Sequence, residues 1–95
     1  MHTTVAQILR SACTLHAVAE IRTAFGRAVK FARHRRGWRQ LDLAEAADVN
    51  RRTISLIERG VQDPSLSIQS RIARALDLTP AQLLEAADQE RERAK

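Results

Sequence analysis

The sequence predicts an all-α protein, with five helices and an extra amphipathic helix at the N-terminus. Apolar residues recur every three or four positions along most of the chain, which is the spacing of one helix face. Ser, Thr or Asn residues precede several of these segments and can cap the helix N-termini. The chain is 95 residues long, so it is expected to form one small domain with a modest core.

The N-terminal segment predicts an amphipathic helix ahead of the main domain. Thr4 and Gln7 have the spacing of a capping box, and apolar residues follow at positions 5, 8, 9, 12, 15 and 18. Thr23 can cap the next helix, which is expected to end at Gly37. Since neither proline nor glycine separates the two segments, one long helix is an alternative.

Residues 40–59, with the sequence QLDLAEAADVNRRTISLIER, contain two short helical patterns joined by a turn. Ala44 is expected where the helices cross, because a small side chain lets the two backbones approach. Ile54 and Ile57 are three positions apart and so share the inward face of the second helix. Asn50 can cap that helix, which then begins at about Arg51. The pattern predicts a helix-turn-helix whose second helix is cationic.

Two more helices complete the expected domain. Pro64 with Ser65 or Ser67 opens the first of them. Thr79, Pro80 and Gln82 supply an N-cap, a first-turn proline and a capping-box partner for the last helix. The expected organisation is an N-terminal extension over residues 1–20, a domain over 21–87 and a polar, frayed tail over 88–95.

The positive charge of the chain is concentrated in its helix-turn-helix half. Residues 22–59 carry ten basic and four acidic side chains, a net charge of +6, whereas residues 60–95 carry a net charge of −1. A positive field that coincides with an exposed helix is typical of a surface that binds a polyanion. The alternative for the basic run over 33–39 is an ordinary solvated helix face.

Several classes of function are not expected. Cys13 is the only cysteine, so an intramolecular disulfide is excluded and a reducing cytoplasm is expected. His2, His16 and His34 lack the spacing of metal ligands, and no activated nucleophile is evident. We therefore expect no metal, no cofactor and no enzymatic activity. Neither a signal peptide nor a membrane span is indicated.

From about Phe25 to Leu84 the chain resembles the lambda-Cro and phage-repressor family of helix-turn-helix regulators, also called the XRE family. The resemblance covers roughly 60 of the 95 residues. It is carried by an ordered set of residues at family spacing: Gly26, Val29, Arg33, Gly37, Gln40, Leu43, Ala44, Ile54, Ile57, Glu58, Arg59, Gly60, Pro64, Ser65, Leu66, Ile72, Ala73, Ala75, Leu76, Leu83 and Leu84.

This resemblance implies a lambda-repressor-like fold and a sequence-specific regulator that binds a double-stranded DNA operator. Arg51 and Arg52 begin the recognition helix, and an Arg side chain can contact guanine O6 and N7 with two hydrogen bonds. Ser55 and Leu56 are further candidates for base contact, although Leu56 is equally compatible with the core. Phosphate contact is the alternative for both arginines. The residues expected to contact phosphate are Arg39, Gln40, Asn50 and Arg59.

The family also implies an ion pair between Arg33 and Glu58, which would orient the recognition helix. One recognition helix covers few base pairs, so we expect a homodimer that binds two half-sites. Its interface is expected at the last helix and the turn before it, through Leu78, Leu83, Leu84 and Ala87. The N-terminal extension over residues 1–20 is a competing interface, and an interface that combines both is favoured.

The biological role stays open among a restriction-modification controller protein, an antitoxin that represses its own operon and a prophage repressor. A different class is a protein-interaction adaptor that keeps this fold and binds a partner through residues 1–20. Trp38 is expected to pack as an apolar plug, with base stacking as the alternative.

Three departures from the family pattern affect the expected site. Asp48 stands where the family usually has glycine, since the backbone there is left-handed. Arg39 replaces the usual Ser or Thr, so the first helix of the pair is expected to be poorly capped. The loop over residues 61–63 lacks the basic residues that often contact phosphate.

Overall fold

The structure of the protein, a computed structural model, describes residues 14–93, which form five helices and no strand. They are α1 (Thr14–Arg35), α2 (Gln40–Ala47), α3 (Arg51–Glu58), α4 (Leu66–Ala75) and α5 (Pro80–Arg93). The all-α class and the helix-turn-helix, formed by α2 and α3, are confirmed. The expected N-terminal helix falls largely on residues 1–13, which lie outside the described residues.

Helix α1 runs without interruption past the point where a new helix was expected to begin. Thr23 is exposed in the middle of α1 and caps nothing, so the expectation of a helix start there is wrong. With no proline or glycine before Thr23, nothing in the sequence breaks the helical hydrogen bonding. The helix ends at Arg35, and Gly37, two residues further on, has a left-handed φ of 69°. The Trp38 amide then donates to the Arg33 carbonyl at 3.2 Å.

The same left-handed ending follows each of the next three helices. Asp48, Gly60 and Asp77 have φ values of 56°, 73° and 58°. In each case the amide of the following residue donates to a carbonyl five positions back, which satisfies a free carbonyl of the last turn. The left-handed backbone expected at Asp48 is therefore confirmed, and Asp77 adopts the same conformation.

The starts of α3, α4 and α5 agree with the capping signals in the sequence. The Asn50 side chain accepts a hydrogen bond from the Arg52 amide at 2.8 Å, and Ser65, rather than Ser67, accepts from the Ile68 amide at 3.2 Å. Thr79 and Gln82 each accept from the other's backbone amide, at 3.1 and 2.9 Å. These caps satisfy backbone donors that have no partner within the helix.

The core lies among the five helices, with α1 packed against α3 and α5, and its centre consists of fully buried aliphatic side chains. Gly26 lies where α1 crosses the end of α3, and a Cβ atom added there would come 2.3 Å from the Ile57 carbonyl oxygen. Only glycine permits so close an approach, because the contact is with backbone. The largest fully buried side chains are Val29, Leu43, Ile54, Ile57, Ile72 and Leu83.

The C-terminal segment is more regular than expected. Helix α5 continues through Arg93, whereas fraying was expected from Asp88 onward. Arg91 pairs with Asp88 at 3.3 Å and Arg93 with Glu90 at 3.2 Å, both at the i, i+3 spacing that supports a helix. Among residues 14–93, no helix combines the length and the apolar character needed to cross a membrane.

Candidate nucleic-acid interface

The start of α3 displays two arginines on the surface of the protein. Arg51 and Arg52 are both exposed, and neither forms an ion pair within the described part of the chain. The Asn50 cap fixes the first turn of the helix, because its side-chain Oδ1 accepts a hydrogen bond from the Arg52 amide. The two guanidinium groups are therefore available to contact a ligand, and the helix cap holds the backbone that carries them in place.

The rest of the outer surface of α3 combines exposed and half-buried side chains. Ser55 and Leu56 are half-buried, which places Leu56 neither fully in the core nor fully in solvent. Ile54 and Ile57 are completely buried and anchor the helix on its inward side. Arg59 follows the helix as its C-cap and is exposed. The exposed side of α3 thus runs from Arg51 to Arg59 over about two turns.

The other end of α3 is fixed by a buried ion pair. Arg33 Nε donates to Glu58 Oε2 at 2.7 Å and its Nη2 donates to Oε1 at 2.9 Å. The two side chains are only 8% and 3% exposed. Arg33 Nη1 also donates to the Trp38 carbonyl at 2.7 Å, so that one guanidinium joins α1, the α1–α2 turn and α3. Two parallel hydrogen bonds give such a pair a defined geometry.

Gln40 belongs to the same network. Its Nε2 donates to Glu58 Oε1 at 3.1 Å, and the side chain is half-buried. Glu58 therefore accepts three side-chain hydrogen bonds, from α1 and from the first residue of α2. Sequence reasoning missed the Gln40 contact, because the two residues are 18 positions apart and nothing in the local pattern links them.

The start of α2 is capped by a side chain within the helix. Asp42 Oδ2 accepts from the Arg39 amide at 2.8 Å, whereas the Arg39 side chain, as expected, accepts no hydrogen bond from the first turn. The same carboxylate accepts from Arg39 Nε at 3.2 Å and from Nη2 at 3.1 Å. The hydrogen bonds from the Arg39 side chain and amide lower the pKa of Asp42, while the Asp42 carboxylate raises the pKa of Arg39.

Positive charge surrounds these helices. Of the ten basic residues between positions 22 and 59, only Arg22 and Arg33 are not exposed. Arg22 pairs with Asp63 at 3.1 Å, which places an acidic residue in the loop after α3. Arg36 pairs with Asp77 and lies 4.9 Å from the centre of the Trp38 ring, which packs half-buried against the core. The Trp38 ring thus packs partly against the core, with the Arg36 guanidinium over one of its faces.

The residues expected at a dimer interface divide into two groups. Leu83 and Ala87 are 1% and 0% exposed, because α1 covers the inward face of α5 over much of its length. Their assignment to an interface between protomers is therefore wrong. Leu84, which is 42% exposed, and the half-buried Leu78 remain accessible.

The fold and the exposed cationic helix define the class: a DNA-binding transcriptional regulator of the helix-turn-helix kind. A family model described as Helix-turn-helix matches residues 29–83. The match covers more than half of the chain, and the protein belongs to this family, in its XRE-type branch.

Known regulators are similar to the chain in sequence and in structure. The competence pilus inhibition repressor of Acinetobacter baylyi is 38% identical over 58 residues, which are 61% of this chain and 53% of the repressor. The chain thus spans about half the length of this curated relative.

Two solved structures share the fold. The clp gene regulator ClgR of Corynebacterium glutamicum aligns with a TM-score of 0.71 and 29% identity over 76% of this chain and 77% of ClgR. The restriction-modification controller protein C.AhdI of Aeromonas hydrophila aligns with a TM-score of 0.64 and 31% identity, over 65% of this chain and 94% of C.AhdI. These relatives are all regulators by name.

Proposed function

We propose that the protein acts as a homodimer that recognises a specific operator made of two half-sites. The observation that carries this proposal is the pair of exposed, unpaired arginines at the fixed start of α3. In helix-turn-helix proteins the recognition helix presents its N-terminal residues to base edges in the major groove. Arg51 and Arg52 occupy those positions, and the guanidinium fork matches the O6 and N7 acceptors of guanine.

Ser55 and Leu56 extend the proposed base contact by one turn. Ser55 offers a hydroxyl that can donate or accept a hydrogen bond, and the exposed part of Leu56 can contact a thymine methyl group. Both side chains are half-buried, so their contribution is expected to be smaller than that of the two arginines. They would distinguish bases near the centre of α3 rather than at its start.

The proposed phosphate contacts are Arg39, Gln40, Asn50 and Arg59. Asn50 uses its Oδ1 as a helix cap, which leaves its Nδ2 group to donate to a phosphate oxygen. Gln40 commits one amide hydrogen to Glu58 and keeps the second for the same purpose. Arg39 and Arg59 are exposed cations on either side of the helix pair. Such contacts set the position of a protein on DNA and carry no sequence information.

The proposed dimer interface lies beside α5. Leu84 is 42% exposed on one side of this helix. On the other side a groove of about 460 Å³ runs along the contact between α5 and α1. Its lining includes Leu78, Ala86 and the 54% exposed Phe31, together with four charged side chains. Apolar side chains exposed on both sides of one helix favour contact with a second copy. Residues 1–20 are the competing interface.

A homodimer supplies the second recognition helix that a single domain lacks. Two half-sites about one helical turn apart, ~34 to 36 Å, would give an operator with two-fold symmetry. The similarity to a restriction-modification controller protein over nearly all of that protein's length supports a controller role, with an antitoxin and a prophage repressor as the alternatives. An adaptor without DNA binding is disfavoured, because it would have no use for the exposed arginines of α3.

Selection of bound sequences from random duplex DNA tests the proposal. The parent protein should enrich a two-fold symmetric site whose half-sites are ~10 base pairs apart, and light scattering should give the mass of two chains. An asymmetric enriched sequence bound by one chain would contradict the homodimer.

The position of the interface has its own test in a matched pair of variants. Leu84→Asp places a charge in the proposed interface and should give monomers that bind the operator weakly. Leu66→Asp makes the same change at a leucine that is 80% exposed on α4, and it should remain dimeric. If Leu84→Asp is as dimeric as the parent, the interface lies elsewhere, with residues 1–20 as the next candidate.

A further inference from the structure

At the start of α2, the Arg39 side chain forms an ion pair with Asp42. The Arg39 guanidinium uses two donors, Nε and Nη2, on the two oxygens of Asp42, at 3.2 and 3.1 Å. Arg39 is 76% exposed, so the pair faces solvent and is not held by surrounding protein. Arg51, Arg52 and Arg59, in contrast, form no ion pair within the described residues. Among the arginines proposed to contact DNA, Arg39 alone is paired with a carboxylate in the free protein.

A DNA phosphate and the Asp42 carboxylate are ligands of the same kind for Arg39. Both are anions with oxygen acceptors, and both suit the two-pronged edge of a guanidinium group. The edge formed by Nε and Nη2 cannot serve both fully at once. A phosphate that approaches Arg39 therefore competes with Asp42, which is already in place.

We propose that Asp42 is an internal competitor for DNA phosphate, and that DNA binding transfers the Arg39 guanidinium from Asp42 to a phosphate oxygen. The inference rests on the proposed phosphate contact of Arg39. The transfer exchanges one anionic partner for another, so it adds little to the net release of counterions. Asp42 thereby weakens the sequence-independent part of DNA binding and leaves discrimination to the arginines of α3.

The salt dependence of binding to a random-sequence duplex measures this exchange directly. Each phosphate neutralised by a free cation steepens the slope of log K against log salt by ~0.9. Asp42→Asn frees Arg39, and its side-chain oxygen can still accept from the Arg39 amide as a helix cap. We expect its slope to be steeper than the parent's by ~0.9, so that a fourfold rise in salt costs it an extra ~3.5-fold in affinity.

Two further variants close the cycle. Arg39→Ala should weaken binding without making the slope steeper than the parent's, because it removes a cation and leaves the Asp42 carboxylate in place. In the Asp42→Asn background the same change should remove the added ~0.9. The matched control is Glu45→Gln, which removes one negative charge from an exposed position of the same helix that acts on Arg39 through its charge but forms no hydrogen bond with it. It should leave the slope at the parent's value.

Titration of the Asp42 carboxyl by NMR gives an independent measure. The pKa of this group is lowered by Arg39 in the free protein. It should rise when DNA is bound, because Arg39 has moved to a phosphate.

The proposal is overturned by equal slopes for the parent and Asp42→Asn, by an equal steepening in Glu45→Gln, or by an Asp42 pKa that stays low on DNA. Because random-sequence DNA is used, such a result would leave the proposed operator and dimer untouched. Conversely, a parent protein that selects no symmetric operator would leave the slope comparison interpretable.

Discussion

The two ends of α3 are built in opposite ways. At the C-terminal end Glu58 is nearly inaccessible and accepts three side-chain hydrogen bonds, from Arg33 and Gln40. At the N-terminal end Arg51 and Arg52 are exposed and carry no ion pair within residues 14–93. One end of the helix is therefore fixed to the rest of the protein, while the other keeps its charges available for DNA.

This contrast indicates that the two ends of α3 have different roles, one in orienting the helix and the other in contacting DNA. A buried ion pair adds little net stability, because removing two charges from water costs about as much as their attraction returns. Its directional hydrogen bonds do define one orientation of α3 relative to α1 and α2. The exposed arginines lose little solvation in the free protein and so retain their capacity to bind bases. Substitutions at the two ends should accordingly have different effects.

The largest effect is expected from Glu58→Ala. This change leaves Arg33 as a buried, unpaired charge and should lower the free energy of unfolding by about 3 to 5 kcal/mol. Denaturant melting measures the loss, and DNA affinity should fall with it for every sequence.

Replacing Arg33 and Glu58 together by apolar residues is the control for that prediction. It should recover part of the lost stability, since no charge is then left unpaired in the interior. Were Glu58→Ala as stable as the parent, the pair would not be holding the end of α3.

A smaller effect at the same end is expected from Gly26→Ala. The added Cβ atom would lie 2.3 Å from the Ile57 carbonyl oxygen and 2.8 Å from that of Glu58, so backbone must move. Overpacking of this kind costs about 1 to 3 kcal/mol. It should also weaken DNA binding, because the displaced segment is the end of α3.

Gly37→Ala is the comparison for this steric effect. Gly37 has a left-handed backbone, unlike Gly26, and nothing lies within 4 Å of its Cβ position. The cost there should be conformational only and should leave DNA affinity per folded molecule unchanged. Equal losses of affinity in the two variants would argue against a special role for the α1–α3 crossing.

The smallest effect is expected from a substitution just before the exposed N-terminal end of α3. It should increase the stability of the protein rather than lower it. Asp48 precedes α3 by three residues and has a φ of 56°, which glycine adopts without strain. Asp48→Gly should raise the free energy of unfolding by about 0.5 to 1 kcal/mol. Thermal melting would detect this gain.

Asp77→Gly makes the same change at a φ of 58° but also removes the ion pair with Arg36. Its gain should be smaller than that of Asp48→Gly. A loss of stability in Asp48→Gly would mean that the Asp48 side chain makes a favourable contribution that outweighs the backbone strain.

Local signals in the sequence predicted much of this fold. The Asn50 cap, the capping box of Thr79 with Gln82 and the left-handed Asp48 all depend on neighbours within a few residues, so the sequence pattern reveals them. The spacing of apolar residues similarly identified α2, α3, α4 and the start of α5.

Contacts between distant parts of the chain were harder to predict from the sequence. The Gln40–Glu58 hydrogen bond joins two helices, and the burial of Leu83 and Ala87 depends on how α1 lies across α5. An apolar residue on a helix does not by itself show which neighbour will cover it. The Arg39–Asp42 pair was also missed, although its i, i+3 spacing was visible, because arginine at an N-cap position suggested only a missing acceptor.

The most direct test of the account is the specificity ratio of Arg51→Ala and Arg52→Ala. Each variant would be titrated against the selected operator and against operators with single symmetric base-pair changes, at one salt concentration. Arg52→Ala should lose ~1 to 3 kcal/mol of discrimination at one base pair of each half-site and keep the parent's discrimination elsewhere. If both variants bind more weakly but retain every specificity ratio of the parent, the two arginines contact phosphate and the exposed end of α3 does not determine the operator sequence.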